Sequence, residues 1–340
     1  MLRKASLYAF LSVCLLMSCA EGKESPEPLF EGIFILNGGN WGGNDSNIGI
    51  YDPVTKKFSP DAFLGVNGQK LGELGQDMAV CNGELYIAVY GSKVIFVTDM
   101  SLRIKDMITA EHDGVTLSPR SLYAAASKVY VTYYEGYAGE INAADRSVRL
   151  TAVGPNPEGI AVSGDRLYTA DSGGMSYPDY GDKVSVVSLD PFEKSGDITV
   201  SLNPASIAVS SDGGRLYVLC YGNYDDVPAS VECIDLMTGN AMREEYLSAM
   251  AMAAGKNDML YILAGGKLYM HDMASDSCEG EFVSDGTSLA GAYSLSVTSE
   301  GYVYVGISDY INTGDMLVFR PDGRLHDAFD TSGLNPLKAL

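Results

Sequence analysis

Basic charge is scarce in this chain: 23 Lys and Arg stand against 44 Asp and Glu, a net of −21. Such a surface repels phosphate backbones and anionic headgroups, which excludes nucleic acid as a partner. Histidine is scarcer still. His112, His271 and His326 lie far apart and outside the candidate binding loops, and no HExxH, GxSxG or P-loop pattern occurs. Acid pairs such as Asp225-Asp226 lack the ligand alternation of a calcium loop and read as solvated turns, so no metal site is assigned. The cysteines show neither CxxC nor zinc-finger spacing. Cys81, Cys220, Cys233 and Cys278 each lie in or beside an apolar run and are expected as buried free thiols. No stretch longer than about ten residues keeps a 3.6-residue apolar period, which argues against helical solenoids.

Long apolar runs are also missing, apart from one near the start. Arg3 and Lys4 precede a short apolar segment, residues 7–17, and then Leu16-Met17-Ser18-Cys19. That run is too short to span a bilayer and reads as a signal peptide, residues 1–18, ending in a lipobox. Ser18 supplies the small residue needed before the cysteine, whereas Val13 before Cys14 does not. Cys19 is therefore the expected lipidated N-terminus, with residues 19–29 as a polar tether; ordinary secretion with cleavage elsewhere is the alternative. The mature chain then carries 21 basic against 44 acidic residues, a net of −23, and meets the membrane only through its lipid.

What the chain has in abundance is a repeat. A polar or glycine corner followed by Leu-Tyr or a close variant ends at Tyr86, Tyr130, Tyr168, Tyr217, Tyr261 and Tyr304, with Ile33-Phe34 as a degenerate first copy. The gaps from Phe34 onward are 52, 44, 38, 49, 44 and 43 residues. This is the period of four-stranded propeller blades, and the flanking apolar segments, such as Gly159-Ile160-Ala161-Val162 and Val184-Ser185-Val186-Val187, supply further strands. In that unit the fourth strand is expected over residues 198–200. The strands are apolar on both sides, as blades packed on two neighbours require.

An all-β, seven-bladed propeller over residues 30–340 follows. Asn156-Pro157 and Asn203-Pro204 each open an innermost strand, and Asn335-Pro336 repeats that phrase with no blade after it. The C-terminal strand is therefore expected to be the innermost strand of the first blade, whose other strands come from residues 33–64, so that no sheet edge stays open.

In this fold the loops from second to third strands gather on one face with those leading into the innermost strands. Here the former are long over residues 37–44, 133–137, 171–181, 221–226 and 308–312. Of the 22 tyrosines, the six repeat copies are expected to pack blades, while Tyr90, Tyr133, Tyr134, Tyr137, Tyr177, Tyr180, Tyr221, Tyr224 and Tyr310 fall in this loop set with the single tryptophan, Trp41. Such rings give wide, stiff contact surfaces with polar tips. Asn40, Asn44 and Ser172 lie among them, and Gln76, Asp77, Arg120 and Glu158 are candidates for hydrogen bonds nearer the centre.

The phrase Asn156-Pro-Glu-Gly-Ile-Ala-Val162, then Leu167-Tyr-Thr-Ala170 and Val184-Ser-Val-Val187, resembles the repeat of YncE-like, surface-layer "YVTN" propellers. The opening Ile35-Leu-Asn-Gly-Gly-Asn-Trp-Gly-Gly-Asn44 resembles a lipoprotein branch of that family, the BtuG-type proteins, departing from it at Gly38 where the branch more often carries an acid. The resemblance implies a cell-surface lipoprotein of the outer membrane that binds a corrinoid of the cobalamin type, as ligand and not as cofactor. It would hand this ligand to a TonB-dependent transporter of the BtuB type. A non-enzymatic binding role is the leading expectation. A scaffold that docks a transporter or glycan-uptake partner is the first alternative, and a lactonase-like hydrolase the second.

Overall fold

The computed structural model describes residues 32–246 and 248–340. The signal segment, Cys19 and the tether lie outside the described residues. Seven four-stranded antiparallel sheets make up the seven blades of a β-propeller, with one additional two-stranded hairpin, Glu111–His112 with Val115–Thr116. The innermost strands are Gly75–Cys81, Pro119–Ala125, Pro157–Ser163, Pro204–Val209, Ala249–Ala254, Ala292–Val297 and, for the first blade, Pro336–Ala339.

Closure follows the expectation. Pro336–Ala339 pairs antiparallel with Ile33–Asn37, and the backbones of Phe34 and Leu340 exchange both hydrogen bonds at 2.8 and 3.0 Å. The asparagine of the opening phrase has a physical role. Asn156, Asn203 and Asn335 have φ of 49°, 61° and 57°, a left-handed turn that asparagine tolerates better than most residues. Each carbonyl then accepts the N–H of the first residue beyond the second strand of its blade: Ser172, Tyr221 and Gly38. Proline follows as the first strand residue, where its missing N–H costs least. Gly159, two residues on in the fourth blade, is needed for close approach, since a Cβ there would stand 2.8 Å from the Ala205 carbonyl of the next inner strand.

The repeat tyrosines Tyr86, Tyr130, Tyr168, Tyr217, Tyr261 and Tyr304, and Phe34 in the first copy, are all buried on second strands. They pack in the apolar seams between blades rather than in one central core. Three expectations need correction. The fourth strand of the fourth blade is Phe192–Thr199, not 198–200, because an outermost strand faces water and carries Glu193, Lys194 and Asp197 in place of an apolar run. The first blade's strands end at Ser59; residues 62–67 form a short helix that buries Phe63 and is tied down by Asn67 Nδ2 to the carbonyls of Phe63 (2.9 Å) and Leu102 (2.8 Å). Cys81, Cys220 and Cys233 are buried free thiols, but Cys278 is exposed, again on an outermost strand.

Candidate functional site

Six of the innermost strands begin with the same irregularity: the pairing with the second strand slips just after the first residue, leaving the second residue unpaired and, in the third and fourth blades, the third (Ser121 and Gly159) as well. In the first blade the slip falls between Lys338 and Pro336, around Leu337. Such a bulge re-aims a side chain. The residues so placed are Gln76, Arg120, Glu158, Ala205, Met250, Tyr293 and Leu337, one per blade, around the mouth of the central channel. Three were singled out from sequence; Met250, Tyr293, Ala205 and Leu337 were not, although alignment of the inner strands on their opening residue finds them.

Arg120 organises this tier. Its Nε donates to Glu158 Oε2 at 2.5 Å and its Nη1 to Gln76 Oε1 at 2.6 Å, joining three blades. Its guanidinium lies over the rings of Tyr90 (5.8 Å) and Tyr134 (5.3 Å). Burial works against the Arg120 charge, and the Glu158 carboxylate more than offsets it, so the guanidinium stays charged. Tyr221 closes the opposite side, donating to the Met250 carbonyl at 2.9 Å.

Above this tier the loop aromatics form arcs. Trp41 contacts Tyr90 at 6.3 Å between ring centroids, and Tyr90 contacts Tyr134 at 5.6 Å. Across the mouth Tyr177, Tyr180, Tyr224 and Tyr221 follow one another at 5.9, 6.0 and 6.4 Å, and Tyr293 meets Tyr310 edge-on at 5.4 Å. Trp41, Tyr177 and Tyr224 are 76%, 73% and 71% exposed, far more than packing rings would be. Exposed Met175 and Ile311 extend this apolar surface. Burial pushes the phenols of Tyr90 and Tyr221 up and that of Tyr134 to about 12, so these groups remain hydrogen-bond donors at neutral pH.

Other candidates are placed differently. Tyr133 is buried at the end of a strand, since the expected loop 133–137 is only a three-residue turn. Tyr137 starts the next strand and packs on His112 at 4.6 Å, which also brings that histidine to the loop face, contrary to expectation. Ser172 is buried and committed, its Oγ donating to the Asn156 carbonyl at 2.7 Å and accepting the Gly174 N–H. Asn40 is a brace: Nδ2 donates to the Tyr310 carbonyl and Oδ1 accepts from Asn335. Asn44 sits exposed in a left-handed turn, its carbonyl accepting from Lys70. Asp77 faces lower, into a channel of about 640 Å³ lined by all seven innermost strands, where it pairs with Lys338 at 2.9 Å and accepts the Leu122 N–H. Among the described residues no three His, Cys, Asp or Glu side chains converge to hold a metal ion.

The longest aromatic loop, residues 172–182, rises from a buried acid that sequence reasoning passed over. Asp171 accepts from Ser185 Oγ (2.5 Å), Thr169 Oγ1 (2.8 Å) and the Gly154 N–H (3.1 Å), yet burial outweighs these donors and pushes its carboxyl up to about 6. The folded state therefore binds this proton more tightly than the unfolded chain does. Stability from this group is present at low pH and is lost as pH rises through about 4 to about 6, by up to roughly 3 kcal/mol. Asp171→Asn is expected to lack that slope. Urea midpoints of both proteins at pH 4.5 and 7.5 check this; an equal difference at both values would contradict it.

No protein-family model and no curated protein matches the chain. Among solved structures, the Kuenenia stuttgartiensis hydrazine synthase contains a chain similar to this one, with a TM-score of 0.58 at 16% identity, covering 72% of this chain and 76% of that one. At that identity the likeness is one of fold, and it supports the propeller alone.

Proposed function

We propose that this protein is a binding receptor whose aromatic loop face captures a broad, flat, amphipathic small molecule, a corrinoid of the cobalamin type, for hand-over to a TonB-dependent transporter. The observation that carries the reading is the set of exposed rings, Trp41, Tyr177, Tyr224 and Tyr310, standing on separate blades around one mouth. Rings on several sides match a ligand wider than one blade, and phenol hydroxyls and the Gln76 amide suit a periphery rich in amides. The choice of corrinoid rests on the resemblance of residues 35–44 to the BtuG-type branch. Cell-surface lipid anchorage through Cys19 is part of the same proposal.

Calorimetric titration of cyanocobalamin into the purified mature chain tests it, with saturable heat expected at micromolar concentration or below. Trp41→Ala and Tyr224→Ala are each expected to weaken binding by about 2 kcal/mol, roughly thirtyfold, without lowering the melting temperature, because neither ring is in the core. Absence of heat would end the cobalamin reading. A second reading, docking of a protein partner, is favoured by Met175 and Ile311, which carry the apolar surface outward from the mouth. Co-purification of a transporter that is insensitive to these substitutions would support that reading instead.

A further inference from the structure

The bulged residues divide the mouth into two unlike parts. Gln76, Arg120 and Glu158 stand on three adjacent blades, the second to the fourth, and are joined through one guanidinium. Ala205, Met250, Tyr293 and Leu337, on the other four, bring neither charge nor amide. A guest over this floor therefore meets its strong hydrogen-bonding groups on one side only. On that side Gln76 has used its amide oxygen, Glu158 one carboxylate oxygen, and Arg120 the donors on Nε and Nη1 that reach them. A guanidinium has five N–H donors and a carboxylate two oxygens, so capacity remains. Arg120 Nη2, Gln76 Nε2 and Glu158 Oε1 bond to no protein group among the described residues, and none of the three is sealed from solvent. Donors and an acceptor are thus left open together, Nη2 and Oε1 belonging to groups already held to each other by the Nε–Oε2 hydrogen bond of 2.5 Å. The charges of Arg120 and Glu158 cancel. A primary carboxamide carries the matching pair, an oxygen that accepts and an N–H that donates, with no charge to desolvate. A carboxylate also fills the donors, but it sets a second negative charge beside Glu158 Oε1, in the field of a chain of net charge −21. A tertiary amide leaves Oε1 without a donor.

We infer that the Gln76–Arg120–Glu158 side of the mouth is a subsite for uncharged primary carboxamides, and that it decides which edge of a captured molecule lies over the second to fourth blades. The inference rests on the aromatic face being the ligand face, not on the ligand being a corrinoid. The test uses the full mature chain and ligand-observed NMR titration with benzamide, benzoate and N,N-dimethylbenzamide. Benzamide is expected to bind saturably at millimolar concentration, and the other two at least about tenfold more weakly. Glu158→Gln leaves the Arg120 charge uncompensated and is expected to reverse the order of benzamide and benzoate. Arg120→Met/Glu158→Leu, which removes one charge of each sign, is expected to weaken benzamide about tenfold and to erase its advantage over the other two. Where Glu158→Gln fails to fold, the double variant decides alone. No saturable binding of benzamide, equal affinity for the three probes, or an unchanged order in the folded variants would overturn the inference. Cyanocobalamin calorimetry separates the two claims: a benzamide preference without cyanocobalamin heat ends the corrinoid reading and leaves this subsite standing, whereas cyanocobalamin heat without a benzamide preference ends the subsite alone.

Discussion

Deletion of residues 335–340 is expected to destroy the cooperative unfolding of the entire ring, not merely to fray one end. The segment supplies the innermost strand of the first blade, so its loss removes the ladder to Ile33–Asn37 and leaves Ile35 and Leu36, now fully buried, on an open edge. It also removes bonds into the seventh blade, where Ser294 Oγ donates to the Pro336 carbonyl at 2.5 Å and the Ala339 N–H donates to Ser296 Oγ at 3.1 Å. The Lys338–Asp77 pair to the second blade goes with them. Several hydrogen bonds at about 1 kcal/mol each, with the exposed apolar surface, amount to at least about 5 kcal/mol, comparable with the whole stability of many domains. Asn335→Ala is a milder form of the same test. It places alanine at a φ of 57° and removes the bonds to the Gly39 carbonyl, Asn40 Oδ1 and Ser308 Oγ, for an expected loss of about 2–3 kcal/mol. Urea unfolding followed by circular dichroism measures both; a truncated chain with an unshifted single transition would show that the strand is not the clasp.

Arg120→Met is expected to have the next largest effect, about 3 kcal/mol of stability. Methionine keeps much of the volume over Tyr90 and Tyr134, but Glu158 is left largely buried without a cation and Gln76 without its donor. Breaking a pair of this kind from one side costs more than the pair itself contributes. The double change Arg120→Met/Glu158→Leu should therefore recover most of the loss, with a coupling above 1.5 kcal/mol in a double-mutant cycle. A double variant no more stable than the single would show that Glu158 is already satisfied by solvent.

Much of the fold was legible in the sequence because the innermost and second strands are the ones under the strictest constraint. A residue that must fill the seam between blades has to be Leu-Tyr or close to it, and a left-handed turn before the channel is well served by Asn-Pro. The outermost strands were not legible. Phe192–Thr199 and Ser277–Glu281 lie against water, so charge is tolerated there and the apolar signal fades; the exposure of Cys278 has the same origin.

The candidate site was legible as a face of aromatic loops and not residue by residue. Tyr133 and Tyr134 are neighbours with opposite fates, one buried and the other over Arg120, because side chains alternate along a strand and the strand ends between them. Composition marks neither the end of a strand nor the direction of a ring. Ser172 and Asn40 share their chemistry with ligand-binding groups, yet their bonds are taken by the loop backbone they support and, for Asn40, by the Asn335 side chain. Met250, Tyr293, Ala205 and Leu337 escaped notice because a residue's role at the mouth is set by the bulge, and a bulge places bland side chains there as readily as charged ones.

The most direct measurement is hydrogen exchange of the mature chain with and without saturating cyanocobalamin. The proposed receptor predicts slowed exchange confined to residues 38–46, 172–182, 221–229 and 308–314 and to the starts of the innermost strands around Gln76, Arg120 and Glu158. Slowing confined to the turns of the opposite face, or none despite saturation, would contradict the placement of function on the aromatic loops.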